Sequence, residues 1–355
     1  MLFNKLHKSG YLGYQWVHLK VNIFNSFSLC FGIYAQLNLA REICSSKNLT
    51  NQINNHHSGR VRRVDFVPKH QPVTRDQLSI IDNFFTRNRR ILVITGAGVS
   101  TESGIPDYRS EGVGLFARSS TKPVQYQEFL KYPNVRKRYW ARNFVGWPNF
   151  SSVEPNNNHI ILKKLEDVEK VQRIITQNVD NLHGKAGSTE VIELHGTAFK
   201  VICLSCDYSI DRHNFQQVLS DSNQEIVIAP QSIRPDGDIE LPQEFVEDFK
   251  TPSCPKCGGI LKPDIIFFGD NVPKNRVDEI NNEVDKCDAI LVLGSSLSTY
   301  SGYRIILRAK EQDKEIGVIN IGPTRADEQA EFRISAKCSD ILLQYVTISG
   351  ILNNK

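Results

Sequence analysis

The fold is decided by the stretch Arg90-Ile-Leu-Val-Ile-Thr-Gly-Ala-Gly-Val-Ser100, which continues as Thr101-Glu-Ser-Gly-Ile-Pro106. Its first half is a continuous apolar run, which is typical of a parallel strand buried on both faces. Its second half is rich in glycine, which lets the backbone approach a pyrophosphate while the N–H groups opening the next helix face the anion. The strict glycine fingerprint needs a glycine at position 101, where the chain has threonine. The motif alone therefore leaves a phosphate-binding loop and an ordinary tight turn open.

Three further apolar runs end in polar loops, and segments with helical periodicity separate them. This alternation predicts an α/β fold, with a Rossmann-like, doubly wound and mostly parallel sheet that carries helices on both faces. Ligands of such sheets bind beyond the carboxyl ends of the strands, so we expect the four loops to converge on one ligand. The runs lie at residues 171–176, 289–293 and 316–319, and the helical segments include residues 74–89, 274–287 and 302–312.

Four of the eight cysteines form two close pairs, Cys203-Leu-Ser-Cys206 and Cys254-Pro-Lys-Cys257. Such pairs indicate a metal site before they indicate disulfides, and they favour a reducing, intracellular compartment. Four thiolates close a tetrahedral site for which zinc is the usual metal, so the zinc is expected to be structural. An iron–sulfur centre or a redox pair is the alternative. We expect a small zinc module at about residues 198–262, interleaved in the larger domain, with a loop and short strands between the cysteine pairs.

The net positive charge comes from the start of the chain. The net charge is +4, but residues 1–63 carry eight basic residues and one acid, which leaves the remainder with a net charge of −3. A nucleic-acid-binding domain is basic, so nucleic acid is not expected as a partner. The basic, acid-poor stretch 1–63 is typical of a mitochondrial transit peptide, with a disordered extension or a membrane-associated leader as alternatives. The uncharged run 21–40 contains several Asn and Gln residues, so no integral membrane anchor is expected.

Six motifs, in this order along the chain, resemble the sirtuin family. They span roughly Leu78 to Tyr345, within an expected catalytic domain at residues 64–350. The runs 108–118, 138–148 and 300–304 are similar to the class II, mitochondrial sirtuin 4 branch. The six motifs are Gly96-Ala-Gly-Val-Ser100 through Ser103-Gly-Ile-Pro-Asp-Tyr-Arg109, Thr176-Gln-Asn-Val-Asp180, Glu193-Leu-His-Gly196, the two cysteine pairs and Gly294-Ser-Ser296.

The resemblance implies a Rossmann-like domain and a smaller zinc-bearing domain, with NAD and an acyl-lysine meeting in the cleft between them. NAD is consumed: the acyl oxygen attacks the nicotinamide ribose, nicotinamide leaves, and the acyl group passes to ADP-ribose. The resemblance assigns the general base to His195 rather than to His183. An imidazole whose pKa lies near the working pH can take a proton from a ribose hydroxyl and later return one.

The resemblance also implies which residues contact NAD. Asn178 and Asp180 match the pair that holds the nicotinamide amide, and Tyr108 stands where many members of the family have phenylalanine. Cys338 matches a position beside the adenine. The full expected set is Gly96, Ala97, Gly98, Val99, Ser100, Ser103, Gly104, Ile105, Pro106, Asp107, Tyr108, Arg109, Gln177, Asn178, Val179, Asp180, Gly294, Ser295, Ser296, Asn320, Ile321, Gly322 and Cys338.

Two segments are expected to bind the acyl-lysine substrate. Phe268, Gly269 and Asp270 match the segment that pairs with the substrate backbone by strand addition, with Asp270 in place of a more common glutamate. Tyr139 and Arg142 share a helix face because they are three residues apart. Their spacing resembles a pair that reads an acidic acyl chain, in which Arg142 would clamp a carboxylate. The alternative, a helix surface within a basic stretch, stays open.

The sequence thus predicts an NAD-dependent protein-lysine deacylase with NAD as consumed co-substrate and one structural zinc. Lipoyl-, biotinyl-, branched or acidic acyl-lysine is the expected substrate, on proteins that are expected to be mitochondrial metabolic enzymes, with the matrix as location. A protein mono-ADP-ribosyltransferase that uses the same pocket and a non-catalytic NAD-sensing scaffold are the alternatives. A dehydrogenase is disfavoured because the strict glycine fingerprint is absent.

Overall fold

The computed structural model describes residues 66–119, 123–223 and 234–351. The leader expected at residues 1–63 lies outside them. Within these ranges, no helix has both the length and the apolar character needed to cross a membrane.

The described residues form nine strands in two sheets. The larger sheet has six strands in the order β3-β2-β1-β7-β8-β9, and every neighbouring pair is parallel. The smaller sheet has three antiparallel strands in the order β5-β4-β6. The strands are β1 (Ile91–Thr95), β2 (Val171–Thr176), β3 (Val191–Glu193), β4 (Gly196–Cys203), β5 (Ser209–Asp211), β6 (Leu261–Ile265), β7 (Ala289–Leu293), β8 (Glu315–Ile319) and β9 (Phe332–Ile334).

Helices cover both faces of the large sheet, so the predicted doubly wound, Rossmann-like fold is confirmed. Helices α1, α5 and α11 pack on one face, and α9 and α10 pack on the other. The helices are α1 (Arg75–Arg87), α2 (Leu115–Arg118), α3 (Tyr126–Lys131), α4 (Pro133–Ser151), α5 (Asn157–Asp167), α6 (Leu182–Lys185), α7 (Arg212–Ser222), α8 (Glu244–Glu247), α9 (Lys274–Lys286), α10 (Tyr300–Glu311) and α11 (Cys338–Ile348), and a 3-10 helix spans Ala97–Ser103.

Local chemistry explains where helix α1 begins. The Thr74 side chain accepts from the N–H of Gln77, and the Gln77 side chain accepts from the N–H of Thr74. This capping box satisfies two N–H groups that have no partner inside the helix. The sequence places this helix at residues 74–89, within two residues of its observed ends.

The strand order reverses between β1 and β7. From β1 the chain proceeds to β2 on one side, and it later returns to place β7 on the other side. Such a switch point opens a crevice at the carboxyl ends of the two strands, where open α/β sheets bind their ligands. All five residues of β1 and of β7 are buried, as a central parallel strand requires.

The small sheet packs against helices α4 and α7 around an aromatic core, in which the rings of Trp140 and Phe215 lie 4.8 Å apart. Helix α4 precedes the cysteine pairs by about fifty residues, and nothing in its own pattern joins it to the expected module at residues 198–262. Between the pairs lie the short strand β5, as expected, and helix α7, which the sequence did not predict. Asp211 caps α7 by accepting from the N–H groups of His213 and Asn214.

Candidate functional site

The carboxyl ends of β1 and β7 touch through their glycines. The N–H of Gly98 donates to the carbonyl oxygen of Gly294 at 2.9 Å. A Cβ atom on Gly98 would lie 2.7 Å from that oxygen, and one on Gly96 would lie 2.6 Å from the Cβ of Ser295. Only glycine allows this approach. The turn formed by Gly96, Gly98 and Gly294, here called the glycine cradle, lies at the start of the 3-10 helix. A helix start after a central strand is where open α/β sheets bind phosphate groups.

A cavity of about 1380 Å³ extends from this cradle. All four polar loops reach it, so the expected convergence is confirmed. Its volume exceeds that of a typical single-ligand pocket of roughly 300–1,000 Å³, so it has room for two ligands. The expected residues that line it are Gly96, Ala97, Gly98, Ser100, Ile105, Asp107, Tyr108, Arg109, Tyr139, Gln177, Asn178, Val179, Asp180, His195, Phe268, Gly269, Asp270, Gly294, Ser295, Ser296, Asn320, Ile321, Gly322 and Cys338.

Five of the residues expected to bind NAD or substrate do not line the cavity: Val99, Ser103, Gly104, Pro106 and Arg142. Val99 and Ser103 instead hold the glycine-rich loop in place. The Asn156 side chain donates to the carbonyl oxygen of Val99 at 2.8 Å and to the hydroxyl of Ser103 at 2.9 Å. These bonds tie the 3-10 helix to the start of α5.

Other lining residues carried no sequence signal of their own. Pro235 and Asp236 come from the segment between the cysteine pairs, and Glu102 and Lys337 form an ion pair of 3.1 Å. Ser301 and Arg304 come from the start of helix α10. The segment 300–304 contributed to the family resemblance, but its pattern does not show that it contacts His195.

Buried polar groups surround the inner end of the cavity. The carboxylate of Asp180 accepts from the Ser100 hydroxyl at 2.7 Å and from the N–H of Leu182 at 3.0 Å. Burial raises the pKa of Asp180. The amide of Asn178 donates to Ser100 and to the carbonyl oxygen of Gly96, both at 3.1 Å. Because both N–H bonds of the Asn178 amide are taken, its carbonyl oxygen and the Asp180 carboxylate are left to accept from the NH2 of a ligand amide.

The His195 ring is held by both of its nitrogens. Nδ1 lies 3.0 Å from the carbonyl oxygen of Gln177, and Nε2 lies 2.8 Å from the Ser301 hydroxyl. Because a carbonyl can only accept, Nδ1 carries the proton and Nε2 accepts. Burial lowers the pKa of His195 to about 4, and Arg276 and Arg304 add to this effect. The sequence led us to expect a His195 pKa near the working pH. In the structure that pKa is lower, so the ring is neutral and can accept a proton.

His183 occupies a different environment. It is fully buried, its Nε2 lies 3.0 Å from the Thr95 hydroxyl, and its ring lies 4.8 Å from that of His159. It lines a separate polar cavity of about 330 Å³ beside β3 and does not line the large one. The geometry thus brings His195, and not His183, to the glycine cradle.

An aromatic rim and an open strand edge form the mouth of the cavity. The Tyr108 ring lies 5.7 Å from Phe116 and 6.3 Å from Phe268. The N–H of Tyr126 donates to the carbonyl oxygen of Phe268 at 2.9 Å, so this segment already pairs with one extended neighbour. Gly269 follows with φ of +79° and turns the chain away. An extended peptide has backbone partners at such an edge.

The structure separates Tyr139 from Arg142. Tyr139 lines the cavity, and its buried hydroxyl has no hydrogen-bond partner among the described residues. Arg142 is only 5% exposed, and its guanidinium lies 3.0 Å from the carboxylate of Asp238. Its Nε also donates to the carbonyl oxygen of Ile239. Arg142 is therefore neither an exposed helix-surface residue, as one interpretation had it, nor a free cation facing the cavity.

Four sulfur atoms meet at the end of the small sheet. Those of Cys203, Cys206, Cys254 and Cys257 lie within 4.8 Å of one another, with Cys203–Cys257 at 3.5 Å and Cys206–Cys254 at 3.7 Å. A zinc ion with four Zn–S bonds of about 2.3 Å places its sulfurs about 3.8 Å apart. The group therefore fits one tetrahedral zinc. With all four positions filled by thiolates, the zinc is structural.

Comparisons with known proteins agree with this geometry. Residues 96–301 match the model of the Sir2 family. The chain is 55% identical to "NAD-dependent protein deacylase Sirt4" of Drosophila melanogaster, over 79% of this chain and 90% of that protein. It is 46% identical to "NAD-dependent protein lipoamidase sirtuin-4, mitochondrial" of Homo sapiens, over 78% and 88%.

Solved structures point the same way. The structure described as "Sir2-p53 peptide-NAD+" is similar with a TM-score of 0.60 and 25% sequence identity, over 77% of this chain and 99% of that one. "Structural Basis for the Mechanism and Regulation of Sir2 Enzymes" describes another, with a TM-score of 0.60 and 28% identity, over 79% and 100%. The glycine cradle, the His195 environment and the four-cysteine group lie in the fold that these proteins share, and the chain belongs to the Sir2 family, the sirtuins.

Proposed function

We propose that this chain is an NAD-dependent protein-lysine deacylase that passes the acyl group to ADP-ribose and releases nicotinamide. One observation carries the proposal: a single cavity joins the glycine cradle of Gly96, Gly98 and Gly294 to the neutral ring of His195. Such a cavity can hold a dinucleotide and place a proton acceptor against it. The Drosophila relative, 55% identical, is named an NAD-dependent protein deacylase.

The chain offers a place for each part of NAD. The cradle and the start of the 3-10 helix suit the pyrophosphate. Asn178 and Asp180 would hold the nicotinamide amide, and the loop at Asn320–Gly322 with Cys338 would face the adenine end. When bound, NAD supplies the ribose carbon that the acyl oxygen attacks and the hydroxyl that continues the reaction.

His195 is the proposed general base. Its Nε2 is unprotonated because Nδ1–H donates to the carbonyl of Gln177. The ring can therefore take a proton from a ribose hydroxyl and return one later in the cycle. A burial-lowered pKa keeps it neutral at the pH of a cell compartment.

Phe268, Gly269 and Asp270 are proposed to bind the peptide around the modified lysine. A substrate strand would add to the edge beyond Tyr126 and Phe268, and the acyl-lysine would enter past the aromatic rim of Tyr108.

The acyl group is proposed to be neutral, with lipoyl as first choice. Arg142 is paired with Asp238, and the carboxyl group of Asp236 lines the cavity, so an acidic chain finds no free cation at Arg142. The human and bovine relatives are named lipoamidases. Biotinyl and branched chains share this lack of charge and are the next choices.

The four-cysteine zinc is proposed to fix the small sheet, because β4 ends at Cys203 and β6 begins shortly after Cys257. The human and bovine relatives carry "mitochondrial" in their names. We propose the mitochondrial matrix as the location of this chain, with residues 1–63 as its transit peptide. Acyl-lysine proteins of mitochondrial metabolism are the proposed substrates.

The test is a reaction of the full chain with NAD and a panel of peptides that carry lipoyl-, biotinyl-, glutaryl-, branched-acyl- or acetyl-lysine. Mass spectrometry follows nicotinamide, acyl-ADP-ribose and the peptide whose lysine has lost its acyl group. Acyl-ADP-ribose from the lipoyl peptide, absent with His195→Ala, is the expected result. A protein that gains ADP-ribose without losing acyl groups would indicate the transferase alternative, and NAD left intact with every peptide would overturn the proposal.

A further inference from the structure

Ser301 contacts the one ring atom of His195 that can accept a proton. The Nδ1 atom is taken by the carbonyl oxygen of Gln177, and the Ser301 hydroxyl lies 2.8 Å from Nε2. Because Nε2 has no proton of its own, Ser301 must donate to it. Both side chains line the large cavity.

The position of Ser301 is set by the start of helix α10. Ser301 is the second residue of that helix, and the next residue, Gly302, packs directly on Gln177. A Cβ atom on Gly302 would lie 2.9 Å from Oε1 of Gln177. The Gln177 side chain in turn donates to Ser295 at 2.7 Å. The residue that holds Nδ1 and the residue that holds Nε2 therefore belong to one packed unit.

We propose that the Ser301 hydroxyl relays the proton between the ribose hydroxyl and His195, an inference that rests on the proposed function. The ribose O–H bond breaks and its proton goes to Oγ of Ser301. At the same time the Ser301 O–H bond breaks and that proton goes to Nε2 of His195. The ribose oxygen keeps the electron pair of its broken O–H bond and uses that pair to attack the carbon of the acyl group. Nothing is oxidised or reduced.

Direct transfer to His195 would require a different arrangement. The ribose hydroxyl would have to displace Ser301 from Nε2, and the serine hydroxyl would lose the one hydrogen bond that the structure gives its side chain. In the relay the existing contact stays in place, and the ribose hydroxyl needs to reach only Ser301.

The relay predicts that loss of the Ser301 hydroxyl slows one step of the reaction and leaves another unchanged. Release of nicotinamide follows attack by the acyl oxygen and needs no base, whereas the later transfer of the acyl group needs His195. Exchange of labelled nicotinamide into NAD, in the presence of acyl-peptide, reports the first step alone. Formation of acyl-ADP-ribose reports both.

Ser301→Ala tests the relay in the full chain. Acyl-ADP-ribose formation is expected to fall by about a hundredfold, the low end of the contribution of a general base, while nicotinamide exchange stays within about twofold. Ser301→Thr keeps a hydroxyl and is expected to recover most of the loss. Ser79→Ala is the control, because that hydroxyl lies on α1 and donates only to the carbonyl of Arg75.

Three outcomes would overturn the relay: acyl transfer unchanged in Ser301→Ala, exchange lost in step with acyl transfer, or Ser301→Thr as impaired as Ser301→Ala. The proposed function is judged separately, on the unsubstituted chain. If that chain exchanges no nicotinamide with any acyl-peptide, the function and the relay both fall.

Discussion

Gly98 donates its N–H to the carbonyl oxygen of Gly294 at 2.9 Å and so joins the turns that follow the two central strands of the large sheet. This contact lies at the point where the strand order reverses. It brings the two loops that carry most of the expected NAD contacts into one backbone unit. The rest of the cavity is arranged around it.

Gly98→Ala is expected to weaken NAD binding strongly. The new Cβ would lie 2.7 Å from backbone atoms of Gly294, which have no rotamer by which to move away. Overpacking of this kind costs about 1–3 kcal/mol. The loss is measured as a lower midpoint of thermal unfolding and a weaker NAD affinity by calorimetry.

Gly187→Ala is the control for Gly98→Ala. Gly187 has φ of +93°, but only the flexible end of Lys163 is near it. The substitution is expected to lower the free energy of unfolding by about 1–2 kcal/mol through backbone strain and to leave the NAD affinity unchanged. Normal NAD binding by Gly98→Ala would show that the contact does not shape the site.

Arg142→Met is expected to destabilise the protein without changing acyl preference. Removing one partner of a buried ion pair costs about 3–5 kcal/mol when the other charge is left uncompensated. Here Arg234 stays 3.7 Å from Asp238, so a loss near the lower bound is expected. Urea unfolding measures this loss. The ratio of kcat/KM for glutaryl- and lipoyl-peptides should stay constant, because Arg142 does not line the cavity.

Arg138→Met removes an exposed arginine from the same helix and should change stability by less than about 0.5 kcal/mol. A selective loss of glutaryl-peptide activity in Arg142→Met would instead support the carboxylate clamp.

Cys206→Ser is expected to lower the zinc content below one per chain and to lower the unfolding temperature. A structural zinc site contributes folding free energy directly, because the unfolded chain has no preformed site. Metal analysis of the purified chain, alongside thermal unfolding, measures both effects. Cys287→Ala is the control, since Cys287 is buried at the end of α9, outside the four-sulfur group, and the variant should retain its zinc. Full zinc content in Cys206→Ser would contradict the assignment of Cys206 as a ligand.

The acidic limb of the pH–rate profile is expected below the usual histidine range. The base must be neutral to accept a proton, and burial lowers the pKa of His195 to about 4. Activity should therefore be lost only as the pH falls through about 4, and not near the ordinary value of about 6.5. The profile of kcat/KM between about pH 5 and pH 8, the range in which proteins tend to be most stable, checks this, because it should show no acidic limb near the ordinary value of about 6.5. Circular dichroism at each pH controls for unfolding, and a limb near pH 6.5 would show that the free-enzyme ring is more solvated than the structure has it.

Some elements could be predicted because their signals are local. The strand at Ile91–Thr95 is a run of apolar residues, and its loop is marked by Gly96 and Gly98. The sequence predicts a helix at Tyr139 and Arg142, but the packing of helix α4 against the small sheet could not be predicted in this way. Its packing depends on aromatic contacts such as Trp140 with Phe215, whose partners lie 75 residues apart in the chain. The ion pair between Arg142 and Asp238 was hidden for the same reason, since 96 residues separate its partners.

The sequence by itself determined the alternation of strands and helices, the four polar loops, the two cysteine pairs and the match to the sirtuin motifs. Each of these depends on residues close together in the chain or on their order along it. Only the tertiary structure decided that His195 is neutral, that Ser301 meets its Nε2, and that Arg142 is paired while Tyr139 faces the cavity. Burial, ring orientation and the pairing of charges are set by neighbours that are distant in sequence, and only folding brings those neighbours together.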